Sequence, residues 1–212
     1  MVEGVNRRPL ASRNTAWAMA LTRMLAGTSV TPNQISAASI LMAALSGGAF
    51  WLAGSAEGGA RIALFLCAAA FCQLRLLCNL LDGMVAVEAG KSSPDGAFWN
   101  EVPDRLADML ILVGAGWGAG EPALGWAAAS FAVLTAYLRE LGRASGAVPD
   151  FSGPMAKPHR MALISAAAVL SLFEPLWNGR NEVLTVALWV VVLGTAFTAL
   201  RRAARLLSFL KG

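Results

Sequence analysis

Apolar residues run without a single charge from Ile35 to Leu52, long enough for one crossing of a bilayer core. Comparable runs extend from Ile62 to about Val87, from near Asn100 through Gly118, and over roughly 122–138, 161–177 and 183–200. Breaks at Gly118–Pro122, Ala147–Pro158 and Glu174–Glu182 separate the later ones. The second run carries Arg75, Asn79 and Asp82 toward its end, so it and the third turn amphipathic where they approach each other. Ahead of all six, residues 14–26 place Trp17, Leu21, Met24 and Leu25 on one helical face and end at a glycine. This predicts a short amphipathic helix lying in the membrane interface. The pattern therefore predicts an all-α integral membrane protein, a six-transmembrane-helix bundle over residues 32–212 preceded by an N-terminal segment, 1–31, that holds the interfacial helix.

Composition strengthens this reading. Of 212 residues, 57% are hydrophobic and 14% charged, whereas soluble domains carry roughly a quarter charged residues. A water-soluble globule, a disordered chain and a collagen-like repeat are all excluded. Seventeen Lys and Arg against thirteen Asp and Glu give a net charge of +4. The basic residues flank apolar runs, so they read as topology signals and lipid-headgroup contacts, with no nucleic-acid partner expected. Residues 1–13 are polar, carry Arg7, Arg8 and Arg13 and contain no apolar core, so insertion is expected to rely on the internal helices. Arg23, Lys91, Arg139, Arg143, Lys157, Arg160 and the group Arg201, Arg202, Arg205 and Lys211 fall at one set of helix ends; only Arg61 and Arg180 fall at the other. Both termini are therefore expected to be cytoplasmic, in a bacterial inner membrane. Cys67, Cys72 and Cys78 form no C-x-x-C pair and read as buried structural thiols. Trp99, Trp117 and Trp126 suit an interfacial belt.

The chemistry concentrates between the second and third runs. Asp82, Glu88, Asp95, Glu101, Asp104 and Asp108 crowd into one short stretch, and carboxylates at membrane depth are costly enough to mark a functional site. Asn79 and Asp82 are spaced i, i+3, while Asn100, Asp104 and Asp108 are spaced i, i+4 and i+8, so each set shares a helix face. Oxygen ligands without neighbouring His or Cys favour a hard cation, Mg²⁺ or Mn²⁺, held with the help of substrate phosphates. Gly83 and Gly96 would let a bulky ligand approach the backbone.

The segment Asn79-Leu-Leu-Asp82-Gly83-Met-Val-Ala86-Val87, eight residues, then Gly96-Ala-Phe-Trp-Asn100-Glu-Val-Pro-Asp104 resembles the signature of the CDP-alcohol phosphotransferase family, D-x-x-D-G-x-x-A-R-x₈-G-x₃-D-x₃-D. A Thr-Pro-Asn-like step before the first membrane helix, here Thr31-Pro32-Asn33, is also frequent in that family. The resemblance implies six membrane helices with the site at the cytoplasmic ends of the second and third, and a homodimer. It implies cation binding by Asn79, Asp82, Asn100 and Asp104, and activation of the acceptor hydroxyl by Asp104. It further implies nucleotide contacts from Gly83, Ala86, Gly96 and Asn33. Asn79 and Asn100 stand where the family has its first and third aspartates, and Val87 where it has arginine. Two carboxylates balance one divalent cation rather than two, unless Glu101 or Asp108 joins them. Lys91 or Arg75 could partly replace the missing arginine, Arg75 lying at i−4 from Asn79. Arg139, Arg143, Lys157 and Arg160 are candidates for binding a phosphate on the acceptor.

The expected activity is transfer of a phosphatidyl group from CDP-diacylglycerol to a polar alcohol with release of CMP. The reverse partition, a soluble CDP-alcohol giving its headgroup to a lipid hydroxyl, stays open. So does a catalytically silent relative that binds nucleotide lipid, while a small transporter lacks the charges spread along several helices that an ion path needs.

Overall fold

The computed structural model describes residues 15–88, 90, 91, 93–177 and 179–212. Arg7, Arg8, Arg13 and Asn14, on which part of the N-terminal and topology reading rests, lie outside them. The described residues fold into seven α-helices and one 3₁₀ segment, without a strand among them. They are α1 (Ala16–Ala26), α2 (Pro32–Ser55), α3 (Gly58–Glu88), α4 (Gly96–Ala119), α5 (Pro122–Ala144), α6 (Lys157–Leu170), continued by the 3₁₀ turn Ser171–Trp177, and α7 (Glu182–Leu210).

Local chemistry sets these ends. Thr31 accepts a hydrogen bond from the Gln34 N–H while the Gln34 side chain accepts from the Thr31 N–H, and Pro32 occupies the first helical position. The reciprocal cap satisfies two N–H groups that would otherwise lack partners, and proline costs nothing there. Gly120, with φ +78, ends α4 in the left-handed conformation that glycine adopts without strain. Helices α3, α4, α5 and α7 all extend beyond the apolar runs that announced them, because an apolar run marks what lies in hydrocarbon and not where backbone hydrogen bonding stops. Helix α4 accordingly starts at Gly96 rather than near Asn100.

Helix α2 packs against both α3 and α4, α4 continues onto α5, α5 meets α7, and α6 lies against α3 and α7. Small residues allow close crossings. A Cβ on Gly114 would lie 2.3 Å from the Gly47 carbonyl oxygen, and one on Gly54 would lie 2.1 Å from that of Gly118. Around these contacts Phe50, Phe65, Ile111, Leu112, Met161, Leu184 and Leu188 fill one core.

Leu41, Trp51, Leu66, Trp117, Trp126, Trp189, Leu193 and Phe197 project outward and remain exposed. An apolar exterior of this extent suits lipid rather than water. Four helical segments, α2, α3, α6 with its 3₁₀ continuation, and α7, are long and apolar enough to cross a membrane. The chain is an integral membrane protein. Helices α4 and α5 are not in that set, and α4 carries the acidic site residues.

One expectation, for the cysteines, changes. Helix α1 buries Ala18 and Thr22, Ala18 packing with Leu80 and Met84, while Trp17 and Met24 stay exposed. Leu21 and Leu25 of the same helix pack partly buried against Ile35, Leu81 and Val85, so α1 lies along α3. Of the three cysteines only Cys72 is buried; Cys67 is exposed and Cys78 half-buried. Positions five or six residues apart on one helix face different directions.

Candidate active site

The C-terminal part of α3 and the first turns of α4 bring the motif halves together. Asp82 is buried on α3, where Ser36 of α2 donates to Asp82 Oδ2 at 2.7 Å. One turn earlier, Asn79 donates its amide N–H to Asp104 Oδ1 on α4. Pro103, inside α4 just before Asp104, has no N–H to donate and frees a carbonyl one turn back. A Cβ at Gly96 would meet only Ser93 Oγ, at 3.8 Å, which leaves open space beside the first turn of α4.

Around this pair lies a dense set of cations. Lys157, at the start of α6, forms an ion pair with Asp104 Oδ2. Fully buried Arg75 places Nη2 2.7 Å from Asp108 Oδ1, 3.1 Å from the Asp104 carbonyl oxygen and 3.5 Å from Asp104 Oδ1. Arg160 holds the other oxygen of Asp108 at 2.6 Å. Asp108 is therefore clamped between two guanidiniums and its charge is already balanced. Glu101 is likewise engaged, by Arg105 and by Arg139 of α5. Neither acid is turned toward Asp82 as an additional cation ligand.

A narrow cavity of about 40 Å³ opens on this cluster. Asp104, Arg105, Asp108, Thr135, Arg139, Phe151, Lys157, Arg160 and Arg202 line it. Of the four basic residues expected there, Arg139, Lys157 and Arg160 are present, whereas half-exposed Arg143 pairs with Glu140 and does not line it. Arg202 takes a place the sequence did not assign. Its Nη1 donates to the Thr135 carbonyl oxygen at 2.7 Å and its Nε to that of Ser152 at 3.1 Å. Ser36 and Arg202 had no local signal. A serine in an apolar helix and one arginine of a basic pair acquire meaning only when distant helices meet.

Other candidates lie apart. Asn100 is exposed and donates to Glu101 at 3.2 Å, away from Asp104. Lys91 ties the α3–α4 connection to the α1–α2 turn through the carbonyl oxygens of Thr28, at 2.6 Å, and Val30, at 3.3 Å. Asn33 donates to Asp95 at 3.2 Å, and hydrogen bonding with Ser93 first, then with Trp99 and Asn33, holds the Asp95 carboxyl below its ordinary range. Gly83 and Ala86 follow Asp82 along α3, both partly exposed.

This donor set does not fit a pair of divalent cations. Two of the four motif positions are amides, both Asp104 oxygens are engaged, and among the described residues no three His, Cys, Asp or Glu side chains gather as a metal-holding group.

No family model matches the chain. It is 31% identical over 140 residues to the phosphatidylinositol phosphate synthase of Mycolicibacterium smegmatis, covering 60% of this chain and 59% of that one. To the bifunctional IPC transferase and DIPP synthase of Rubrobacter xylanophilus it is 33% identical over 152 residues, 69% of this chain and 33% of the relative. The chain thus covers less than two thirds of either relative's length. Crystal structures of Mycobacterium tuberculosis phosphatidylinositol phosphate synthase, with CDP-DAG bound and in complex with manganese and citrate, share its fold. Both superpose with TM-score 0.73 at 18% identity over 89% of this chain, covering 92% and 88% of theirs. Motif register and these relatives together make the chain similar to the CDP-alcohol phosphotransferase family.

Proposed function

We propose that the protein is a membrane phosphotransferase of phospholipid synthesis that moves a phosphatidyl group from CDP-diacylglycerol to a polar alcohol. The observation that carries this is the meeting of Asp82, Asn79 and Asp104 across α3 and α4 beside a cavity lined with Arg and Lys. The acceptor oxygen attacks the lipid-side phosphorus, the bond from that phosphorus to the CMP oxygen breaks, and the hydroxyl proton passes to Asp104. Phosphoryl transfer needs mainly alignment and charge neutralisation. Lys157 and Arg75 supply fixed positive charge, Gly83, Ala86 and Gly96 leave room for the nucleotide, and Asn33 orders the loop that covers it. Arg139, Arg160 and Arg202 suit a phosphate carried by the acceptor, which favours phosphorylated alcohols such as an inositol phosphate or glycerol phosphate. An apolar groove of about 450 Å³ between α2 and α4, lined by Gly47, Trp51, Leu110 and Trp117, suits an acyl chain.

A single Mg²⁺ or Mn²⁺, which Asp82 and the amide oxygen of Asn79 would hold, is the most this donor set accommodates, Asn100 lying apart; such an ion would add charge beside the pyrophosphate. We place the site and both termini in the cytoplasm of a bacterial cell, with six spans from α2 to α7, α1 at the interface and a homodimer as the assembled form. The test is CMP release from CDP-diacylglycerol across a panel of phosphorylated and free alcohols. Release that depends on a phosphorylated acceptor supports the reading. Release with a soluble CDP-alcohol and diacylglycerol instead would reverse donor and acceptor, and no release in either format would leave a binding protein.

A further inference from the structure

The departures from the family motif and the ion pairs of the site answer one another. Asn79 and Asn100 replace two aspartates, which removes two negative charges, the amount one divalent cation would balance. At the same place the chain brings a positive charge of its own. Lys157 lies on Asp104 Oδ2 while Asn79 and Arg75 occupy the Oδ1 side, so the carboxylate is held by the protein as a bridging ion would hold it. Lysine is a compact point charge with three N–H donors, of which one satisfies Asp104 and the others remain for phosphate oxygens. Behind it, Arg75 is fully buried, and among the described residues neither its Nε nor its Nη1 has a hydrogen-bond partner. Buried guanidinium N–H groups without an acceptor are costly, and the uncompensated charge of Arg75 adds to that of Lys157.

We propose that Lys157 is a built-in cation that replaces one of two divalent ions, bridging Asp104 and the pyrophosphate of the donor. The inference rests on the CDP-binding reading above and deepens it. Two-metal sites stabilise the attacking and leaving oxygens with one ion each. Here one of those charges is covalently part of α6, so its occupancy does not depend on free metal. Lys157 touches both the proton acceptor and the donor phosphate, and Arg75 backs it from α3.

The test uses the purified full chain in detergent, with CDP and Mn²⁺ as probes. Bound Mn²⁺ is counted by electron paramagnetic resonance in the presence of CDP, and CDP affinity is measured by calorimetry in EDTA. The proposal expects CDP to bind in EDTA and no more than one Mn²⁺ per chain. Lys157→Met should weaken CDP binding in EDTA by about tenfold or more, the worth of a charged hydrogen bond, and Lys157→Arg should retain it. Adding Asn79→Asp to Lys157→Met should admit a second Mn²⁺. Two Mn²⁺ in the parent, or equal CDP affinity in the parent and a folded Lys157→Met, overturns the proposal while leaving the CDP site standing. Absence of CDP binding under every condition sinks the CDP site and this inference together. If Lys157→Met does not fold, the parent's Mn²⁺ count decides.

Discussion

Asp82 and Asp104 occupy different surroundings, and their substitutions should separate accordingly. Asp82 meets Ser36 and among the described residues has no ion-pair partner, so Asp82→Ala removes a charge available to the reaction; CMP release should be abolished. Wild-type turnover in that variant would end its assignment to the site. Asp104→Asn keeps the shape and should lower the rate by about 10² to 10⁴, the usual worth of a general base, with donor binding largely kept. Equal loss of rate and binding would make Asp104 mainly a binding group. In the basic cluster, Arg202→Ala should raise the acceptor KM and Arg143→Ala should not, because Arg202 lines the cavity whereas Arg143 is half-exposed beside Glu140. A KM unchanged in Arg202→Ala would remove that residue from the acceptor pocket. At this scale the acidic motif was legible because its spacing is local. The partners of those acids were not: Lys157, Ser36 and Arg160 reach them from other helices, and charge placement by itself did not separate Arg202, which lines the cavity, from Arg143, which does not.

At the scale of elements, the crossings of α2 with α4 depend on missing side chains. Gly47, Gly54, Gly114 and Gly118 put backbone against backbone, as small residues do where membrane helices approach closely. Gly114→Leu should therefore force α4 away from α2, costing ~1–3 kcal/mol or more as overpacking and lowering the thermal midpoint in detergent. Gly48→Ala meets nothing within 4 Å and should leave that midpoint unchanged. Equal melting of the two variants with the parent would mean that α2 and α4 are not so close. The six long helices were legible from their apolar runs. The end of α6 was less so: Ser171–Trp177 tightens into a 3₁₀ turn around Pro175, which cannot donate to a continuing α-helix. Buried Glu174 in that turn accepts from the backbone N–H groups of Asn181 and Val183 and pairs with Arg61, so its charge fastens the start of α7.

For the whole molecule depth follows from packing more than from hydropathy, since α4 and α5 are not apolar enough to be recognised as spans while α2, α3, α6 and α7 are. Both a four-span and a six-span arrangement return the chain to the same side after α5, so the positions of the termini do not separate them; the α4–α5 turn does. Helix α4 stays beside α2 along its length, Leu110 and Gly114 against Gly47 and then Gly118 against Phe50 and Gly54. That contact carries Glu121 to the same level as Glu57, next to the Arg61 and Glu174 pair that closes the far end. This packing favours the proposed six crossings over four, with the polar α4 segment shielded by the ion pairs of Asp104 and Asp108 within the bundle rather than facing lipid. The check is labelling by a membrane-impermeant maleimide in a background with Cys67, Cys72 and Cys78 replaced. Glu57→Cys and Glu121→Cys should both react from outside intact cells, and Ser145→Cys only after the membrane is opened. If Glu121→Cys needs an opened membrane while Glu57→Cys does not, α4 and α5 do not cross, and the shared depth of α2 and α4 has to be abandoned.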